Sequence, residues 1–405
     1  MRKTAIVLFV LLFCASFFGC SGTQPITTTD GEIWSFAGKD SLRSGRADGE
    51  ILPPFGALWT KRLDGLGISS SSILKIKIDE SENARREVVF VSGGEKTTAA
   101  MVVETGETLW QINLPSKPLA PVAFEDSVVF VTMDGVIQCM DGGTGNQNWA
   151  LRYTTEGEKI SYEVAQPVIS GGTVFFGFGN GLVLGLNIAD GKEVWRKNLG
   201  DRINSSPVVV SGKLIVADYS NKIAAFRSYN GEEVWNTELS EPVIAQLASD
   251  GKTVFVSGVF GTVYGINVED GTVTWQTNVE DSVIHGSCLV GDSLFIPMAS
   301  GKIVNMNKLT GEINSTIQSD VPSTGIVSAG NNLLFATETG KLMVVDIKSN
   351  QVTEAYKFET WEENVSGQSF GDISISSGKV FVSDGQSKFF CLVPKDIAIN
   401  AHSVK

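Results

Sequence analysis

The stretch that decides the fold is Lys213-Leu-Ile-Val-Ala-Asp218, Lys222-Ile-Ala-Ala-Phe226, Asn230-Gly231 and Glu233-Val-Trp235-Asn236. It reads as an apolar run, a polar turn, a second apolar run, a tight turn and a short run ending on an indole. Asn-Gly tolerates the positive φ of a tight hairpin turn, so the segment predicts successive antiparallel strands. The same phrase surrounds it on both sides. Thr105-Gly106 leads to Trp110, Thr144-Gly145 to Trp149, Asp190-Gly191 to Trp195 and Asp270-Gly271 to Trp275. Successive Trp residues from 110 to 275 lie 39, 46, 40 and 40 residues apart. Thr310-Gly311 continues the series with Asn314-Ser315 where Trp would fall, and Ser349-Asn350 continues it without the Gly.

A period of about 40 residues holding three or four short strands and no helical periodicity is the signature of a propeller. One four-stranded sheet cannot bury both faces, but a ring of sheets can, each covering the next. The repeated Trp therefore reads as packing between neighbouring blades, not as a platform for a cofactor. Six residues before each turn stand Ala100, Cys139, Gly185, Ala225, Gly265, Asn305 and Val344, mostly small. We read that smallness as a need for close packing around a central axis, with Cys391 in the matching role of the last unit.

Seven turns fall at 106, 145, 191, 231, 271, 311 and 350, and an eighth unit from Asp372 to Val393 has three strands. Trp59, in Ala57-Leu-Trp-Thr-Lys61, is a fourth strand without a unit of its own. Pairing it with the last three strands completes a blade and removes an open edge. The chain is thus all-β: an eight-bladed β-propeller with four-stranded antiparallel blades, the last closed by the N-terminal strand. Seven blades is the alternative if one degenerate unit is miscounted. The propeller is expected over 51–397, with a C-terminal tail over 398–405.

Upstream, Arg2 and Lys3 precede an apolar run from Ala5 to Phe18, and Gly19-Cys20-Ser21 follows. This predicts a signal over 1–19 resembling that of bacterial lipoproteins, with Cys20 as the lipidated residue and 20–50 as a polar tether. Phe17 and Phe18 depart from the usual lipoprotein pattern, and an ordinary cleaved signal or an N-terminal anchor is the alternative. Ser21, in place of Asp, favours the outer membrane in a Gram-negative cell. With Cys14 in the signal and Cys20 lipidated, Cys139, Cys288 and Cys391 are an odd number and give no complete disulfide framework.

A formal net charge of −13 argues against nucleic acid, which requires a basic footprint. Only His285 and His402 exist, and no Cys-x-x-Cys occurs, so zinc, redox and His-dependent chemistry have little to work with. Gly367-Gln-Ser369-Phe-Gly371 matches a nucleophile elbow formally, but nothing around it predicts a strand-to-helix turn. Gly177-x-Gly179-x-Gly181 lacks dinucleotide-loop spacing, and Asp79-Glu-Ser-Glu82 fits no calcium loop.

The Gly-x-x-x-Trp phrase resembles that of the quinoprotein alcohol dehydrogenases. That resemblance implies a stacked quinone, a calcium with carboxylate and amide ligands, and adjacent cysteines. No vicinal Cys pair is present here. The combination of lipoprotein signal, polar tether, eight such repeats and this length resembles the BamB family of outer-membrane β-barrel assembly lipoproteins. The resemblance covers nearly the whole chain from Cys20. It implies a non-enzymatic scaffold without cofactor or metal, lipid-anchored at the periplasmic face of the outer membrane. Its implied partners are the POTRA domains of BamA, the wider barrel-assembly complex and outer-membrane protein clients. That family binds its partner through loops around two adjacent blades. The first carries Leu-Ser-Leu-Arg before a Pro. Between Trp149 and Pro167 this chain carries Ile160, Ser161, Tyr162 and Glu163, so the apolar character matches and the charge is reversed. The second carries Asp residues before Thr-Thr-Pro, and here Arg202 and Asn204 precede Ser205-Ser206-Pro207. The alternatives are a generic propeller lipoprotein binding another protein or a polysaccharide, and a quinoprotein dehydrogenase.

Overall fold

The computed structural model describes residues 39–47, 49–63, 71–78, 84–93, 96–153, 164–359, 371–384 and 387–403. Each 40-residue unit folds as expected, because apolar runs rich in Val, Ile and Phe alternate with turns that need positive φ. The result is eight four-stranded antiparallel sheets. We number them blade 1 (71–113), blade 2 (122–152), blade 3 (168–198), blade 4 (208–238), blade 5 (248–278), blade 6 (288–318), blade 7 (327–357) and blade 8 (374–394). The first strands of neighbouring blades touch around most of the ring, from blade 8 through blades 1 to 5 and again between blades 6 and 7, which places these strands around the axis and the Trp-bearing fourth strands at the rim.

Blade 8 takes its fourth strand from the other end of the chain. Phe55–Arg62 pairs antiparallel with Lys388–Pro394, with Arg62 opposite Lys388 and Thr60 opposite Phe390. Blade 8 then meets blade 1 through an ion pair at 3.2 Å between Lys379 Nζ and Glu104 Oε2.

The blades are joined by a repeated device. The indole N–H groups of Trp59, Trp110, Trp149, Trp195, Trp235 and Trp275 donate to the carbonyls of Val103, Gly142, Ile188, Ser228, Val268 and Lys308, each in the next blade, at 2.7–3.0 Å. Each ring lies flat on the turn glycine of that blade. A Cβ on Gly231 would stand 2.7 Å from Trp195, and its φ of +69° is one that L residues rarely adopt. The motif therefore needs Gly twice over, for backbone conformation and for ring contact. Where blade 6 lacks the indole (Ser315), the turn it would touch in blade 7 lacks the glycine (Asn350, φ +57°). That seam is filled by Ile317, Ile347 and Val352 instead. Between blades 7 and 8 a cluster of Tyr356, Phe358 and Phe390 takes over, with ring centroids 5.1 to 6.0 Å apart.

Three expectations change. The small residues of the third strands do not serve packing at the axis; they sit directly across from the indoles, as in Ala225 opposite Trp235 and Cys391 opposite Trp59. Their size leaves room for the ring: a Cβ on Gly265 would fall 2.4 Å from Trp275. Second, the stretch read as a tether up to residue 50 is docked in its described part. Arg46–Ala47 forms a fifth, parallel strand on blade 7. Third, residues 398–403 of the stretch read as a tail lie in a helix, α1 (Lys395–Ser403), which begins within the span assigned to the propeller. Asp396 in its first turn complements the helix dipole, and Ala398 packs on Gly56, where a Cβ would come within 2.8 Å. A nine-residue helix is too short for a periodic pattern to announce itself. Among the described residues no helix is long and apolar enough to cross a membrane.

Candidate functional site

The axis of the ring brings an arginine, two glutamines and an aspartate together in largely buried surroundings. Residues 41–47 run across the inner strands of four blades. The carbonyls of Ser41, Leu42, Ser44 and Gly45 accept from the N–H groups of Val209, Ser249, Leu289 and Ser328, one in each of blades 4 to 7. Edge N–H groups that would otherwise face the channel are thereby satisfied.

From this strap Arg43 points inward and is 1% exposed. Its Nε donates to Pro207 O at 2.7 Å, and its Nη2 donates to Gln166 O at 2.8 Å and Pro167 O at 3.0 Å. Burial pulls the guanidinium pKa down to about 10, while the charges of Asp372 and Asp40 hold it up. The group stays protonated at neutral pH, since even a value near 10 lies far above it.

Beside Arg43 the channel opens into a cavity of about 240 Å³. Its lining follows the repeat. Gln166, Ser206, Gln246, Gly286, Gly325 and Asp372 each stand two residues before the first strand of their blade. Two residues earlier again stand Val164, Asn204, Ile244 and Ile284, on the same side of an extended chain. Gln166 Nε2 donates to Asp372 Oδ2, and Gln246 Nε2 to Gln166 Oε1, both at 2.8 Å. The Oδ1 of Asn204 is buried without a hydrogen-bond partner.

His285 also lines the cavity. Burial lowers its pKa from the ordinary 6.5, with Asp372, the Pro322 carbonyl and Glu338 opposing. A histidine held neutral by folding favours the folded state at and above its ordinary value, and that contribution is lost as pH falls below it. Replacing His285 by Gln is expected to flatten the loss of stability between about pH 7.5 and about pH 5.5, measured by urea unfolding at each pH. An unchanged slope would mean the imidazole titrates as in the unfolded chain.

The residues expected at a partner interface are distributed unevenly. Cys20 and the run Ile160, Ser161, Tyr162 and Glu163 lie outside the described residues, as does Ser369. Arg202 and Asn204 share the connection from blade 3 to blade 4 but have different surroundings. The Arg202 guanidinium carbon lies 3.7 Å from the centroid of the Tyr219 ring, a close, half-exposed cation–π stack. Asn204 belongs to the axial cavity. The residues missed from sequence are Arg43, Gln166, Gln246 and Asp372. The register before each first strand would have found the last three.

Cys139, Cys288 and Cys391 are free and buried, in blades 2, 6 and 8. Burial pushes the Cys288 thiol up to about 12 and raises the other two as well. Among the described residues no three His, Cys, Asp or Glu side chains converge in a way that could hold a metal ion. A calcium and a stacked quinone would need carboxylates and a free aromatic face. At the axis Asp372 instead acts on Arg43, and the indoles lie between blades. This donor set does not fit the quinone–calcium pair.

Comparison with known proteins gives a family model described as outer membrane protein assembly factor BamB, matching residues 28–244 and 223–400. A curated relative, the outer membrane protein assembly factor BamB of Moranella endobia (strain PCIT), is 24% identical over 149 residues. That match spans 34% of this chain and 38% of the relative. Among solved structures, BamB from Moraxella catarrhalis superposes with a TM-score of 0.55 at 20% identity, over 70% of this chain and 97% of that one. A quinohemoprotein alcohol dehydrogenase from Pseudomonas putida HK5 gives 0.69 at 10% identity, over 89% of this chain and 80% of that one. Both structural likenesses speak to the fold alone, since one propeller serves many functions.

Proposed function

The chain belongs to the family of the outer membrane protein assembly factor BamB, and from that premise we propose that it is a non-enzymatic scaffold of the outer-membrane β-barrel assembly machinery. In this reading it is a lipoprotein attached through Cys20 to the periplasmic face of the outer membrane. It binds the POTRA domains of BamA and aids the insertion of outer-membrane proteins. The observation that carries the reading is the family match, which runs through both the blades and the strap.

Physical features support a binding role over a catalytic one. The indoles are committed to holding blades together, and the axis is crossed by the chain's own strap. What remains for recognition is the face formed by the connections between blades, where a rigid ring displays loops of varied sequence. Arg202, braced on Tyr219, is the best-defined cation there. The Glu163 and Arg202 charges differ from the family pattern in opposite senses, so the partner surface would carry matching changes.

Co-purification of the full-length protein from membranes tests the reading. Recovery of a BamA-type subunit is expected, and Arg202→Glu is expected to weaken that recovery by about tenfold, the effect of losing a close charge pair at an interface. Recovery of the protein without any barrel-assembly subunit would favour a generic propeller lipoprotein. The likeness to the dehydrogenase motivates a second arm, in which a quinone absorption band after adding quinone and calcium would overturn the non-enzymatic assignment.

A further inference from the structure

We propose that Phe260 and Ile284 are the apolar anchors of the partner interface, so that the surface binding the barrel-assembly subunit runs from Arg202 past the axial cavity to the Phe260 turn of blade 5. The assignment rests on the scaffold role proposed above and adds to it the contacting residues and their chemistry. At 69% exposed, Phe260 is the most exposed large apolar side chain among the described residues. One exposed ring is ordinary in itself. Its place in the repeat is not. The turn that carries it joins the second and third strands of its blade, and the equivalent positions hold Asp134, Asn180, Ser220, Ser300 and Thr339. Among blades 2 to 7, blade 5 alone has an apolar residue there.

Blade 5 also builds this turn differently. In blades 4 and 8 a carboxylate just after the second strand, Asp218 or Asp384, accepts the N–H groups of the turn. Blade 5 has Gly258 at that place, and Glu241 reaches in from the preceding connection. Its buried carboxylate accepts from the N–H of Phe260 and, at 2.7 Å, from the N–H of Thr262. A Cβ on Gly258 would fall 2.3 Å from Glu241 Cγ, so the glycine makes room for the clasp. On the other side the turn meets the next connection, where a Cβ on Gly261 would stand 2.4 Å from Asp281 O. A ring carried on a backbone fixed from two sides costs little ordering when a partner binds.

The anchors share a face with the cation. Tyr219 N–H donates to Arg202 O and Val259 N–H to Pro242 O, both at 2.9 Å, so both turns lie against the connections between blades. Ile284 follows Asp281 by three residues and is 43% exposed, at the rim of the axial cavity with Val164 and Ile244. Ring, aliphatic rim and guanidinium thus belong to one side of the propeller. The partner chemistry that fits is an apolar depression for Phe260 with a carboxylate beside it for Arg202.

Titration of the full-length protein against the full-length BamA-type subunit, both in detergent, tests the assignment. Phe260→Ala is expected to weaken binding by about thirtyfold, the loss of an aromatic anchor, and Ile284→Ser by about fivefold. Both positions are exposed, so the urea midpoint is expected to stay where it is. Leu309→Ala is the control. That side chain is 65% exposed in a turn at the far end of the third strand of blade 6, on the opposite face, and its loss is expected to change nothing. A Phe260→Ala protein that binds like the original, or a Leu309→Ala protein weakened as much, would overturn the assignment and leave the scaffold role standing. Absence of binding by the unsubstituted protein would overturn both.

Discussion

Replacing Arg43 by Ala is expected to lower the unfolding free energy by about 3–5 kcal/mol, the usual consequence of removing one member of a buried charged network. The side chain is buried and donates to three backbone carbonyls from two blades. Its loss removes those three hydrogen bonds and the cation on which the Asp372 and Asp40 charges act. Arg43→Lys is expected to recover less than half, because a single ammonium cannot reproduce a planar fork. Urea unfolding measures the shift. A second readout belongs to the strap itself. The Cys288 thiol lies 3.6 Å from Gly45 O and is covered by it. If Arg43 pins the strap, labelling of Cys288 by a thiol reagent accelerates in the Ala variant under native conditions. A stability change under about 1 kcal/mol with unchanged labelling would show that the strap holds without its arginine.

The second large effect concerns the wedge between blades 3 and 4. Trp195 is 7% exposed, lies on Gly231 and donates to Ser228 O at 2.7 Å. Trp195→Ala is expected to cost about 3–5 kcal/mol through lost burial and the cavity left behind. Gly231→Ala is expected to cost about 1–3 kcal/mol on its own, because it forces an L residue into positive φ and drives a methyl into the ring. The double variant is expected to cost clearly less than the sum, because the methyl then enters the space the indole has left. Strict additivity, measured by unfolding of all four proteins, would mean that ring and turn do not touch.

How far the sequence could be read differs between the ring and its axis. The blades were legible because one phrase, from Lys213 to Asn236, states strands, turn and wedge together, and the period repeats it. Closure by Trp59 was legible because a lone indole strand at one end matched a missing strand at the other. The reason for the small residues opposite each Trp was not, since smallness alone does not say which neighbour demands it. Arg43 was hidden for a physical reason: an arginine in a polar stretch reads as solvated, and only the assembled ring surrounds it with carbonyls. The cavity was half legible. Gln166, Ser206, Gln246 and Gly286 recur every 40 residues, yet their shared register means nothing until the strands converge on one axis. Of the partner residues, Arg202 and Asn204 stand only two residues apart, yet Asn204 lines the axial cavity and Arg202 stacks on Tyr219.

The central claim is that one N-terminal segment enters the ring at its axis and closes it at blade 8. The most direct measurement is a disulfide between Arg62→Cys and Lys388→Cys, two surface positions directly opposed in the closing strand pair. Opposed antiparallel residues lie about 4.5–5.5 Å apart at Cα, within the span of a disulfide. Oxidation is expected to give a cross-linked monomer of altered mobility on a non-reducing gel, with raised stability and no loss of fold. Free thiols under the same conditions, or cross-linked dimers only, would contradict closure of the ring within a single chain.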